Sequence, residues 1–186
     1  MAFVISGGAV VTYAEALDVK DKDQRFFESN EIDFTNVPDA PGSLDNYIED
    51  LCIKATDRIN EKIRMSARWR EYLGYAGSGY DTIDNIPAFE GIKIKSKQTT
   101  FTDMTAYYVL KEYLLPKLAD FGNPESSEVQ KIQYYENKFN DLFTELTDVF
   151  DYYDSDGDGT VEDGEKMVRF SMTRRTRGRK AVTRIR

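Results

Sequence analysis

Apolar residues recur at steps of three and four along three stretches of the chain, the spacing that places them on one face of an α-helix. The first stripe is Leu44, Ile48, Leu51, Cys52, Ala55, Ile59 and Ile63, and it predicts a helix capped by Ser43 and running from Leu44 to about Tyr72. The second is Tyr107, Leu110, Leu114, Leu118 and Phe121, with Thr102 as cap, Pro116 as a kink and Gly122 as the stop. The third is Ile132, Tyr135, Phe139, Leu142, Leu146, Val149 and Tyr153. It follows Asn123-Pro124-Glu125, a cap, a first-turn proline and an acid, and so predicts a helix over Pro124–Tyr153. At about 30 residues that helix would be roughly 45 Å long. Three such stripes with short joints imply a helical bundle.

The remaining segments are less periodic. Residues 2–11 read as a short extended arm whose Gly7-Gly8 pair breaks any helix. Thr12 and Glu15 form a capping-box pattern opening a short helix over Tyr13–Val19. Lys20–Gln24 is a charged, solvated run, and Pro38, Pro41 and Gly42 mark a turn. Gly74–Thr100 is irregular, with a hairpin strand expected at Gly91–Lys95 from its alternation. The expected fold is therefore mainly α: three long helices, a short N-terminal helix, an irregular loop or hairpin, and extended N- and C-terminal arms. The boundaries that follow are 1–43 for the arm and short helix, 44–153 for the bundle, 154–165 for an acidic loop and 166–186 for a basic tail.

Composition narrows the chemistry. The chain has 186 residues, 40% apolar and 31% charged, with 12 Tyr, 11 Phe and 1 Trp to build a core. It contains no histidine, which excludes Ser-His-Asp and Cys-His centres and His-ligated zinc. The one cysteine, Cys52, cannot form an intrachain disulfide and lies in an apolar stripe, where a small buried hydrophobe is the simplest reading. No run of 18 apolar residues occurs, and Met1–Val11 lacks the cationic start of a signal segment, so a soluble, non-secreted protein is expected. The net charge of −8 is unevenly spread. Of the 25 basic residues, 9 fall within Lys166–Arg186, where there is no acid; the other 16 face all 33 acidic residues, a net of −17. An acidic body with a basic tail suits docking of Arg174, Arg175, Arg177, Arg179, Lys180, Arg184 and Arg186 onto an acidic protein surface or a polyanion.

One motif is sharp. Asp154-Ser-Asp156-Gly-Asp158-Gly159-Thr160-Val161-Glu162-Asp-Gly-Glu165 matches a twelve-residue calcium loop at every defining position. Asp154, Asp156 and Asp158 offer carboxylates at alternate residues, Gly159 permits the sharp turn and Thr160 supplies a backbone carbonyl. Glu162 ligates directly or through water, Glu165 closes the site with both oxygens, and Val161 is the residue buried beside the turn. Five carboxylates around a hard dication favour Ca2+ over the smaller octahedral shell of Mg2+. Leu146, Phe150, Tyr152 and Tyr153 resemble the entering helix of EF-hand proteins. Lys166 and Arg169 stand where the exit helix of that family is apolar, and no second loop follows. A structural clip, with Kd on the order of 10⁻⁵–10⁻³ M, fits this pattern better than a paired sensor. Elsewhere the glycines of Gly74–Gly79 lack a P-loop lysine, Trp69 and Arg70 are packing or interface residues, and nothing proposes catalysis.

The order of elements resembles the head-to-tail adaptor (connector, head-completion) proteins of tailed bacteriophages. The resemblance rests on Lys54-Ala55-Thr56-Asp57-Arg58-Ile59 in the first helix, the irregular loop, Ala106-Tyr-Tyr-Val-Leu110, and Tyr134-Tyr135-Glu136 before Phe139 and Leu142. It covers roughly Tyr13–Tyr153. It implies a non-enzymatic virion protein at the neck, made in the host cytoplasm. Twelve copies would form a ring between the portal protein and the tail or stopper proteins and extend the DNA channel. The termini would reach neighbouring subunits, DNA contact would be non-specific, and no membrane would be involved. Two other readings stay open: a calcium-binding regulatory module, and a nucleic-acid-binding module acting through Arg174–Arg186.

Overall fold

The computed structural model describes residues 3–28, 44–75, 82–119, 121–123, 126–163 and 165–166. It is mainly helical, and its small sheet has two strands. The basic stretch from Arg174 to Arg186, Ser43, Pro124, Glu125 and Arg169 lie outside the described residues.

The chain opens with strands β1 (Val4–Ser6) and β2 (Ala9–Thr12), which pair antiparallel with Ser6 opposite Ala9 and Ile5 opposite Val10. This replaces the extended arm expected from the sequence. Gly7 and Gly8 take φ of 61° and 82°, the left-handed values that a two-residue hairpin turn requires. The pair breaks a helix and also reverses the chain. Reversal carries Phe3 into the core, where its ring centroid lies 4.7 Å from that of Tyr13.

Helix α1 covers Ala16–Lys22, later than the expected Tyr13–Val19. Its capping box is made by Glu15 and Asp18. The Thr12 hydroxyl is occupied instead, donating to the Ala14 carbonyl. Tyr13 becomes a junction: its amide donates to Thr56 Oγ1 (3.2 Å), its carbonyl accepts from Thr102 Oγ1 (2.8 Å), and its hydroxyl meets Asn60 Oδ1 (2.5 Å). Helix α2 (Gln24–Glu28) follows at once, so the charged run is not simply solvated. Lys22 pairs with Asp103 at 2.7 Å, and Asp23 with Lys131 at 2.7 Å.

Helix α3 (Leu44–Met65) buries Ile48, Leu51, Cys52, Ala55, Ile59 and Ile63, the stripe read from the sequence. Burying side chains of the Leu and Ile class contributes about 2 kcal/mol each. The helix stops short of Tyr72 because Ser66 intervenes: its amide bonds to the Ile63 carbonyl, and its hydroxyl accepts from the Trp69 amide. A new helix, α4 (Ala67–Tyr75), begins there and sends Trp69, Tyr72 and Leu73 inward. Trp69 is thus a core residue, with its indole N–H donating to the Pro87 carbonyl at 3.1 Å. Gly91–Lys93 forms a 3-10 turn where a strand was expected, and only Ile94 pairs, in an isolated bridge with Tyr153.

Helix α5 (Gln98–Val109) begins before Thr102, whose hydroxyl is spent on Tyr13. The α-helix then widens into a π turn over Leu110–Leu114 and tightens to a 3-10 turn over Leu115–Lys117, at Pro116. Leu118 and Phe121, placed on the apolar stripe by spacing, are exposed because the helix has already ended. Helix α6 (Ser127–Asp148) is capped by the Ser126 hydroxyl, which accepts from the Val129 amide. It ends five residues before the expected Tyr153. Helix α5 packs against α1, α3 and α6 and forms the centre of the helical layer.

Candidate metal centre

The acidic loop hangs from an irregular segment, not from a helix. After Asp148 the chain leaves the helix, with Val149 at φ −140° and ψ 113°, turns at Asp151 and Tyr152, and sends Phe150, Tyr152 and Tyr153 into the core. The expected EF-hand entering helix is therefore absent. The aromatics that fit its spacing instead pack around α4: Trp69 lies 5.6 Å from Phe150 and 5.1 Å from Tyr153, ring centre to ring centre. Lys95 N donates to Tyr152 O and Asp154 N to Lys93 O, both at 2.9 Å. The Tyr72 hydroxyl meets the Tyr153 carbonyl at 3.3 Å. These bonds fix the main chain up to the first residue of the loop.

Asp154 is fully buried. Its Oδ1 accepts from the Gly157 amide at 2.6 Å and its Oδ2 from the Gly159 amide at 2.9 Å. The loop can curl this tightly because Gly157 and Gly159 have φ of 82° and 100°. Asp156 and Asp158 each accept from the amide two residues on, so both carboxylates turn into the same concavity. One oxygen from each of Asp154, Asp156 and Asp158 lies within 4.8 Å of the others. Ligands about 2.3–2.6 Å from a calcium ion are separated by at most about 5 Å, so the three carboxylates fit such an ion.

The other predicted ligands stand differently. Glu165 is outside the three-carboxylate group: its Oε1 accepts from Ser155 N and Oγ, both at 2.7 Å, and its Oε2 from Glu162 N at 3.1 Å. It already closes the loop, as a hydrogen-bonding clasp. Thr160 donates its amide and hydroxyl to Asp158 Oδ1, Glu162 is exposed, and Val161 is half-buried.

Two lysines that sequence reading did not associate with the loop reach it from the Gly91–Lys95 segment. Lys95 Nζ lies 3.3 Å from Asp154 Oδ2, and Lys93 Nζ donates to the Ser155 carbonyl at 3.3 Å. Their only sequence signal is the Lys-Ile-Lys alternation, which sets both on one side of Ile94. Burial pushes the Asp154 carboxyl toward protonation, but the Gly159 and Gly157 amides and Lys95 outweigh it and hold its pKa below the ordinary value. Glu165 is likewise held low: burial opposes ionisation, and bonds from Ser155, Glu162 and Asp156 more than offset it. Both groups stay anionic near neutrality.

Cys52 lies elsewhere, buried between α1 and α3 in the apolar core, and burial raises its thiol to about 12. It is no nucleophile at neutral pH. Among the described residues, no helix is long and apolar enough to cross a membrane. Comparison with protein families, with curated proteins and with solved structures finds no match to this chain.

Proposed function

We propose that this chain is a non-catalytic assembly protein in which Asp154, Asp156 and Asp158, joined by Thr160, Glu162 and Glu165, hold one calcium ion as a structural clip. The observation that carries the reading is the anchoring of Asp154, buried at the foot of the loop and bonded to two loop amides. When bound, the ion would neutralise the acidic cluster and reinforce the loop that Glu165 already clasps, so that the clip orients the basic tail. A clip is favoured over a sensor because the loop is tied by main-chain bonds to the Gly91–Lys95 segment, leaving no entering helix to swing.

The assembly we propose is the ring-forming adaptor of a tailed-phage neck, with α3, α5 and α6 as the long sides of a three-helix bundle packed against further copies. The acidic body would let DNA pass without sticking, and the arginine-rich end would dock on the portal. At the foot of the N-terminal hairpin Phe3 belongs to the core, while Val4 and Ile5 on its first strand are exposed and could reach a neighbouring copy.

Titration calorimetry with calcium, an apolar-surface dye and light scattering with a portal protein test the two halves separately. The clip is supported by a calcium-dependent rise in Tm without new dye binding, and overturned by the absence of heat or by strong dye uptake. A chain that stays monomeric with the portal overturns the adaptor reading.

A further inference from the structure

Arg58, Lys62 and Met65 on α3 face Tyr108, Glu112 and Tyr113 across an open pocket of about 530 Å³. The three α3 residues share one face by their spacing of four and three. Opposite them, the π turn over Leu110–Leu114 sets Lys111 inward and turns Glu112 and Tyr113 to the pocket. Such turns are rare and concentrate at functional positions.

The charges of the pocket do not cancel. Its two carboxylates are engaged with cations: Glu112 with Lys111 Nζ at 2.6 Å, and Glu61 with Arg64 at 3.4 Å. Among the described residues, neither Arg58 nor Lys62 has a carboxylate within ion-pair distance. Lys62 Nζ rests over the Phe139 ring at 4.8 Å, and Lys111, itself buried, lies over the same ring at 5.1 Å. Partial desolvation and the neighbouring Lys111 hold the Lys62 ammonium below the usual lysine range, although Glu112 and Glu136 pull the other way. A local excess of positive charge in so acidic a body is a place where an anion lowers the energy of the protein itself.

We propose that this pocket binds a small-molecule oxyanion, phosphate monoester or carboxylate, between Arg58 and Lys62, with its apolar or aromatic body against Tyr108, Tyr113 and Met65. Arg58 offers a planar fork for two oxygens and Lys62 a point charge, while the two phenol rings offer flat apolar walls. The site is independent of the acidic loop and of the function proposed for it.

The test is titration of the full chain with phenyl phosphate, benzoate and inorganic phosphate, followed by backbone amide NMR shifts and calorimetry. Saturable binding of phenyl phosphate or benzoate is expected, with shifts at Leu110–Leu114, and whichever binds identifies the oxyanion. Arg58→Met and Lys62→Met should each weaken it about tenfold or more, whereas Lys54→Met, an exposed lysine on the same helix, should leave it unchanged. All three side chains are exposed, so circular dichroism should show native folds. Neither aryl anion binding at millimolar concentration, or equal binding by the Arg58 and Lys62 variants, overturns the proposal.

Discussion

Lys95 Nζ stands 3.3 Å from Asp154 Oδ2, so the protein brings an ammonium of its own to the edge of its acidic loop. A bound dication and this ammonium repel each other while sharing one carboxylate. Replacing Lys95 with Met removes a positive charge worth about 1 kcal/mol at this range in a solvated setting, so calcium should bind roughly fivefold more tightly. Calorimetry on the variant at fixed ionic strength measures this; unchanged or weaker binding would show that the ion does not sit against Asp154.

The carboxylates of the loop divide into one that is structural without metal and others that matter only with it. Asp154→Ala strips the Gly157 and Gly159 amides and Lys95 of a buried acceptor, and should cost about 3 kcal/mol even in chelator. Asp158→Ala, at an exposed site, should leave stability in chelator within about 0.5 kcal/mol while abolishing stabilisation by calcium. Urea unfolding of both variants, with and without calcium, separates the two effects.

Acid should loosen the loop before the core. Asp154 and Glu165 have folded-state pKa values below their ordinary 3.8 and 4.5. Each therefore adds stability that is fully present above its ordinary value and is lost as pH falls through its lower folded value. Between neutrality and about pH 5 these two groups should leave stability flat, and below that their contribution should decline. Calcium, which needs the same oxygens deprotonated, should weaken in the same window. Urea midpoints measured in chelator across this range test the sign; a midpoint that rises on acidification would contradict it.

Gly91 is the most crowded of the described glycines. A Cβ there would stand 2.9 Å from both Cε1 and the hydroxyl oxygen of Tyr13, and 3.0 Å from Cβ of Val10. Tyr13 is fully buried and bonded to α3 and α5, so it cannot yield. Gly91→Ala should cost about 2 kcal/mol, as overpacking does elsewhere. Gly74→Ala, with open space around it, should be neutral to slightly stabilising. Paired thermal melts of the two variants provide the comparison.

What the chain's pattern reveals depends on whether a signal is local. The stripe from Ile48 to Ile63 is a property of one helix face, and it is buried as read. The loop from Asp154 to Glu165 is likewise a contiguous motif, and its first three acids converge. Misreadings arise where distant residues decide. Val149 and Tyr153 continue the spacing of α6, yet the helix ends at Asp148 and Phe150 and Tyr153 join Trp69 and Tyr72 in an aromatic cluster. Thr12 and Thr102 look like helix caps, but each spends its hydroxyl on a backbone carbonyl, Ala14 and Tyr13 respectively. Gly7-Gly8 supports breaker and hairpin equally until Phe3 is seen to need a place in the core. Lys95 belongs to the loop only because Ile94 pairs with Tyr153, a contact that no short-range pattern announces.

The widened turn at Leu110–Leu114 also sets a register. A helix accommodates one surplus residue by such a bulge, and every side chain beyond it is rotated by about 100° from where an unbroken α-helix would aim it. Shortening this turn by one residue would swing Leu114 and Leu115 out of the interior and carry Tyr113 around the helix axis. Length at this point is therefore as constrained as identity: the chain tolerates changes of side chain on the outer wall far better than the loss of one link.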